Sequence, residues 1–249
     1  MLLSLSPWEL AFCVAVLLFT FGLRGSVGFG GSVGMPLLAL ALPVKLIAPA
    51  WSLIGILSSV AILGKDRKFV AVRDYLGLLP GCALGVGAGL FFFKTLDAAL
   101  LARALGVFVI LYGAYTWWLA SRPAEAPPPV PIRIVKPVAS FLSGAVGTLF
   151  GAMASVFFTM YLTAGRTDKT VLRATVSAML LTLSIIRIAG YAALGELTAD
   201  AFLLAAAALP FMGLGLLIGD RIHTGLTERQ FQRVVAGALL VCGVPLLLK

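Results

Sequence analysis

The chain alternates long apolar blocks with short polar breaks. The blocks run 8–24, continuing through a glycine-rich break to 42, then 46–64, 75–93, 101–120, 138–164, 174–195, 201–219 and 231–248. Several match the roughly 20 residues that an α-helix needs to cross a bilayer. Stretches such as Phe202–Leu209 are unbroken runs of apolar side chains, whereas the strands of a membrane barrel alternate apolar and polar residues over roughly ten positions. In hydrocarbon every backbone N–H and C=O needs an internal partner, which leaves helices or closed barrels. The pattern predicts an all-α polytopic membrane protein.

Composition agrees. The 249 residues are 61% hydrophobic and only 12% charged, with a mean hydropathy of +1.07; soluble domains carry about 25% charged residues. The net charge of +9 does not point to nucleic acid, because Lys and Arg sit in the short breaks, where membrane orientation accounts for them. The stretch before Arg24 has no Lys or Arg and no small-residue cleavage site, so it does not read as a secretory signal and is expected to be retained. Cys13, Cys82 and Cys242 lie inside apolar runs without a CxxC spacing, and His223 has no companion for a metal site. They read as buried thiols and a loop or helix-end histidine. No cofactor and no metal is implied, and the clustered His, Asp, Glu or Cys of a membrane enzyme is missing.

A proline-rich segment, 122–137, carries Pro123, Pro127, Pro128, Pro129 and Pro131 among several charges, in the manner of a stiff spacer. It separates two membrane halves, 1–121 and 138–249. Pro80, Gly85, Gly89, Leu96, Arg103 and Gly113 align without gaps with Pro210, Gly215, Gly219, Leu226, Arg233 and Gly243. Upstream, Gly22 and Gly25 match Gly144 and Gly147, and Ser58 and Gly64 match Ser184 and Gly190. Repeats of this kind are typical of secondary transporters. The break after 46–64 carries Lys65, Arg67, Lys68 and Arg73, whereas its counterpart carries Glu196 and Asp200. By the positive-inside rule the halves are then inverted, each with four segments. The first of each, 8–42 and 138–164, is expected to be broken or re-entrant.

The richest local signal is the run from Gly25 to Pro36, GSVGFGGSVGMP. Gly costs about 1 kcal/mol and Pro about 3 kcal/mol relative to Ala inside a helix, so an interruption is expected. Irregular backbone at membrane depth must be buried or line a wet cavity. Half-helix N-termini there favour anions, and Pro36 would suit the first turn of a returning half-helix. Close helix packing through small residues is the other reading of the same glycines. Arg24 borders this run. Arg187 lies within the block 174–195, on one face with Ser177, Ser184 and Tyr191. An intramembrane charge usually faces a cavity or partner; snorkelling to an interface is the alternative for both arginines.

The segment GSVGFGGSVGMPLL resembles the glycine-rich first-helix signature of the TauE/SafE sulfite-exporter family. The two-repeat layout with a variable central linker is similar over nearly the whole chain. The resemblance implies export or uptake of sulfite, sulfonates or related sulfur-containing anions across a bacterial inner membrane, with Gly28, Gly30, Gly31 and Pro36 on the signature positions. The second copy, Gly144–Phe158, has fewer glycines and no proline, which predicts an asymmetric site. The candidate substrate-binding residues are Arg24, Gly28, Gly30, Gly31, Ser32, Pro36, Ser58, Ser184 and Arg187, the partners are a small anion and the lipid bilayer, and a homo-oligomer stays open.

The acids, from Glu9 to Glu228, fall in breaks or near block ends, so no buried carboxylate relay is evident. An anion exporter does not need one, since the membrane potential drives each negative charge outward by about 2.3 kcal/mol per 100 mV. Alternating access between the halves is the expected mechanism. An anion channel and a carrier of cations held by broken-helix carbonyls are the rivals; the two arginines weigh against the second.

Overall fold

The computed structural model describes residues 6–27, 31–121, 132–164, 168–221 and 228–249. Among these the chain is helical and has no strand. In order the helices are α1 (Pro7–Val27), α2 (Gly31–Ala41), α3 (Val44–Asp66), α4 (Val72–Thr95), α5 (Ala98–Ser121), α6 (Ile132–Phe150), α7 (Ala154–Ala164), α8 (Lys169–Ala193), α9 (Ala199–Arg221) and α10 (Glu228–Leu247). Six of them, α1, α3, α4, α5, α8 and α9, are long and apolar enough to cross a membrane. Trp8, Leu84, Leu111 and Val241 lie exposed on the outer surface, which suits lipid as the surrounding solvent.

Helix starts follow local chemistry. Ser6 and Glu9 form a reciprocal cap at α1, with the Ser6 amide donating to Glu9 Oε2 at 2.8 Å and the Glu9 amide to Ser6 Oγ at 3.3 Å. Such a capping box satisfies donors that the first turn leaves unpaired. Asp97 accepts from the Leu100 amide at 2.7 Å ahead of α5, and Asp168 from the Thr170 amide at 2.8 Å ahead of α8.

Both first blocks are divided, as α1–α2 and α6–α7. With 11 residues each, α2 and α7 are about 16 Å long, half a bilayer. The interruption expected over 25–36 is narrower: helix continues to Val27 and resumes at Gly31, leaving only residues 28–30, which lie outside the described residues. Burial overrides the weak helix propensity of glycine here, since packing contributes more than propensity. Pro36 accordingly sits in the second turn of α2 rather than its first. There its missing N–H leaves the Ser32 carbonyl without the usual helical donor. The second interruption turns at Gly151, whose φ of +77° is left-handed and favours glycine. Helix α6 begins at Ile132, within the segment 122–137. Arg133 and Lys136, read as loop charges, belong to its first turns, and the Lys136 ammonium stands 6.0 Å over the Tyr161 ring, where a cation–π contact is favourable.

The helices pair as α1 on α9, α4 on α6, α3 on α8 and α5 on α10. Glycine sets the tightest crossings. A Cβ on Gly144 would stand 2.8 Å from the Val86 backbone nitrogen and press on the Cys82 carbonyl; one on Gly219 would stand 2.8 Å from the Gly22 carbonyl carbon. Backbone cannot swing aside as a side chain can, so overpacking at such a point costs roughly 1–3 kcal/mol or more. Gly144→Ala and Gly219→Ala are expected to lower the melting temperature in detergent. Gly87→Ala and Gly213→Ala, which would meet nothing within 4 Å, are expected to leave it unchanged or raise it, because alanine is the better helix former.

Helices α3 and α8 run antiparallel through the centre. Lys45 at the start of α3 pairs with Glu196 at 3.7 Å, and Asp66 at its end pairs with Arg173 at 2.5 Å. Between them a Cβ on Gly55 would lie 3.0 Å from Ser184 Oγ. The residue separation from Lys45 to Asp66 corresponds to about 30 Å of helix, the thickness of a hydrocarbon core. The two ion pairs thus stand at opposite membrane boundaries, with the Gly55–Ser184 crossing near the middle. Asp66 is buried, which the sequence did not reveal, but it is paired and lies at the end of its helix.

Candidate functional site

Both suspected arginines are buried, Arg24 at 5% and Arg187 at 2% exposure, which excludes snorkelling. Arg24 reaches across to α3 and donates from Nη2 to Ser59 Oγ at 3.0 Å. Ser59 lies about 10 Å along α3 from Asp66. Arg187, on the antiparallel α8, lies about 20 Å from the same end. Arg187 nevertheless reaches back one turn to Ser184, so its guanidinium sits at the Gly55–Ser184 crossing, while Arg24 meets α3 one turn away at Ser59. Neither forms an ion pair with a carboxylate among the described residues. Two like charges at membrane depth without a counter-charge leave an excess positive potential.

Their surroundings differ sharply. The last carbonyls of a helix have no intrahelical donor, and α6 ends in mid-membrane where water cannot supply one. Arg187 does so: its Nη1 donates to the Gly147 carbonyl and, at 3.0 Å, to the Gly151 carbonyl. Its Nε donates to the Leu183 carbonyl at 3.2 Å and its Nη2 to Ser184 Oγ at 3.1 Å. One turn on, the Tyr191 hydroxyl donates to the Thr148 carbonyl. Arg187 and Tyr191 of the polar stripe thus cap the end of α6, and the positive charge also complements that helix terminus. Arg24 has no such saturation. Its Nε has no hydrogen-bond partner among the described residues, and the same holds for the buried Thr20 Oγ1 and Ser177 Oγ.

Of the other expected residues, Ser32 and Pro36 are buried in α2, at the N-terminal half of that half-helix, and Gly31 opens it. Ser184 lies at the central crossing. Ser58 is buried but bonds back to the Gly55 carbonyl at 3.2 Å, so its neighbour Ser59 is the residue that meets Arg24. Gly28 and Gly30 lie outside the described residues. Sequence reasoning missed Ser59, Thr20 and the carbonyls of Gly147 and Gly151; the Ser58–Ser59 pair was visible, but adjacent helix positions point about 100° apart, and repeat alignment drew attention to Ser58 alone. Ser155 is buried in the first turn of α7.

The family model for the sulfite exporter TauE/SafE matches residues 12–246, nearly the whole chain and both interrupted helix pairs. The chain belongs to the TauE/SafE family. Searches of characterised proteins and of solved structures returned no match. Membership makes this a multi-pass membrane transporter, and the segment GSVGFGGSVGMPLL, which directly follows Arg24, runs from the end of α1 into α2.

Proposed function

We propose that this TauE/SafE protein exports small sulfur-containing anions, sulfite or sulfonates, across a bacterial inner membrane. The observation that carries the reading is Arg24, a buried guanidinium with an unpaired Nε, no carboxylate partner among the described residues, and a place beside an interrupted helix. A permanently charged group left this way is costly unless a counter-charge arrives, and a bound anion supplies it. Arg187 adds positive potential at the Gly55–Ser184 crossing. These charges disfavour cations, so broken-helix carbonyls are not the ligands here.

The same reading treats 1–121 and 138–249 as inverted repeats that rock against each other. The pairings support it: α1 packs on α9 as α6 packs on α4, while α3 meets α8 and α5 meets α10, the exchange of counterparts that a two-fold relation produces. Gly22 against Gly215 and Gly144 against the backbone of α4 are corresponding contacts. Alternating access would open the Lys45–Glu196 and Asp66–Arg173 ends in turn. With the interior negative, the potential favours outward movement of each charge by about 2.3 kcal/mol per 100 mV.

Purified protein in liposomes, offered sulfite, sulfonates, sulfate, carboxylates and sodium under an imposed potential, tests the reading. Saturable flux of one of the sulfur anions, faster when the potential favours its exit, is expected. Sodium flux without anion flux would contradict it, and an ohmic single-channel current would favour a channel.

A further inference from the structure

We propose that Thr20 is a substrate ligand and specificity-determining residue of this transporter, acting with Arg24 and the first-turn amides of α2, while Arg187 is a positioning residue that does not touch the substrate. The assignment rests on the anion-transport reading above. Its starting point is a hydroxyl that does not behave like its neighbours. Several buried hydroxyls on these helices return to their own backbone, Ser52 to the Ala48 carbonyl at 3.0 Å, Ser140 to the Pro137 carbonyl at 2.9 Å and Thr148 to the Gly144 carbonyl at 2.7 Å, and others, such as Ser143 and Ser59, pair with a neighbouring helix. Thr20 is fully buried on α1, where the same bond is on offer, yet its Oγ1 has no partner. An orphaned buried hydroxyl calls for a specific explanation.

Its position provides one. Thr20 precedes Arg24 by one helical turn and shares its face. Its side chain lies against Gly34, where an added Cβ would collide with the Thr20 hydroxyl and methyl and stand 2.8 Å from the Trp51 ring. Gly34 belongs to the first turn of α2, whose leading N–H groups have no intrahelical acceptor and are buried with Ser32 and Val33. Two polar groups without partners among the described residues, the Thr20 hydroxyl and the Arg24 Nε, thus lie one turn apart on α1, and the hydroxyl borders the first turn of α2, whose leading amides have no intrahelical acceptor. What they share is a need for oxygen acceptors bearing negative charge. Arg187 cannot join them without abandoning the carbonyls of Gly147 and Gly151. Ser177, the other orphan, lies on α8 nearer the Asp66–Arg173 end and belongs to the approach rather than to this cluster.

Sulfite flux into proteoliposomes, measured over a concentration range for the wild type, Thr20→Val and Thr20→Ser, tests the assignment. Loss of a hydrogen bond to a charged ligand is expected to raise the half-saturation concentration of Thr20→Val by about tenfold or more, with maximal flux little changed and Thr20→Ser close to wild type. Thr20→Cys, in a chain with Cys13, Cys82 and Cys242 changed to alanine, gives a second readout: sulfite is expected to slow its modification by a charged thiol reagent. An unchanged half-saturation in Thr20→Val, or a Thr20→Cys thiol that sulfite does not protect, overturns the role of Thr20 alone. Absence of sulfite flux and of thiol protection in otherwise folded protein overturns the transport reading with it.

Discussion

Arg24→Met is expected to abolish anion flux while leaving the protein as stable as before, or more so. The direction follows from what the side chain lacks. Its charge is buried, and among the described residues its Nε is unpaired and no carboxylate balances it, so the resting protein carries an unfavourable term that methionine removes at similar length. Replacing buried ionic groups by well-packed apolar ones is often neutral or stabilising by about 1–4 kcal/mol. Transport depends on the same charge, and losing it should reduce flux by at least about 100-fold, since a buried charge-assisted contact contributes several kcal/mol. Melting temperature and flux measured on one preparation check both halves. A variant that melts well below wild type would place Arg24 among the structural residues instead.

Arg187→Met is expected to do the reverse. It strands the carbonyls of Gly147 and Gly151 at the end of a helix that stops inside the membrane, where no water replaces the lost donors. Each unsatisfied buried acceptor costs about 1–3 kcal/mol, so the pair should cost roughly 2–6 kcal/mol, enough to lower expression and melting temperature markedly. Arg187→Lys should recover only part of this, because an ammonium is a compact donor and cannot span several carbonyls as the planar fork does. The contrast between two arginines of the same burial, one stabilising the fold and the other straining it, is the sharpest consequence of their different partners.

Much of the architecture was legible in the sequence because the membrane enforces it. Apolar block length marks the spans, and glycine-rich interruption marks the divided helices. Arg24 and Arg187 stood out because charge within an apolar block is rare. What could not be read was which way each side chain turns. Arg187 and Ser184 share a stripe with Tyr191, and the sequence does not say that Arg187 and Tyr191 reach the end of α6. Ser59 was hidden behind Ser58, and Thr20 behind its own ordinariness: most threonines in apolar helices bond to the preceding turn, and only coordinates reveal one that does not. Pro36 was placed one turn early because Gly31–Gly34 were expected to break the helix, while burial around them holds it.

The most direct test is equilibrium binding of labelled sulfite to purified protein, wild type beside Arg24→Met. Saturable binding by the wild type that disappears in the variant, with both proteins folded, is the predicted result. Equal binding by the two would mean that the uncompensated guanidinium beside the interrupted helix is not what holds the anion.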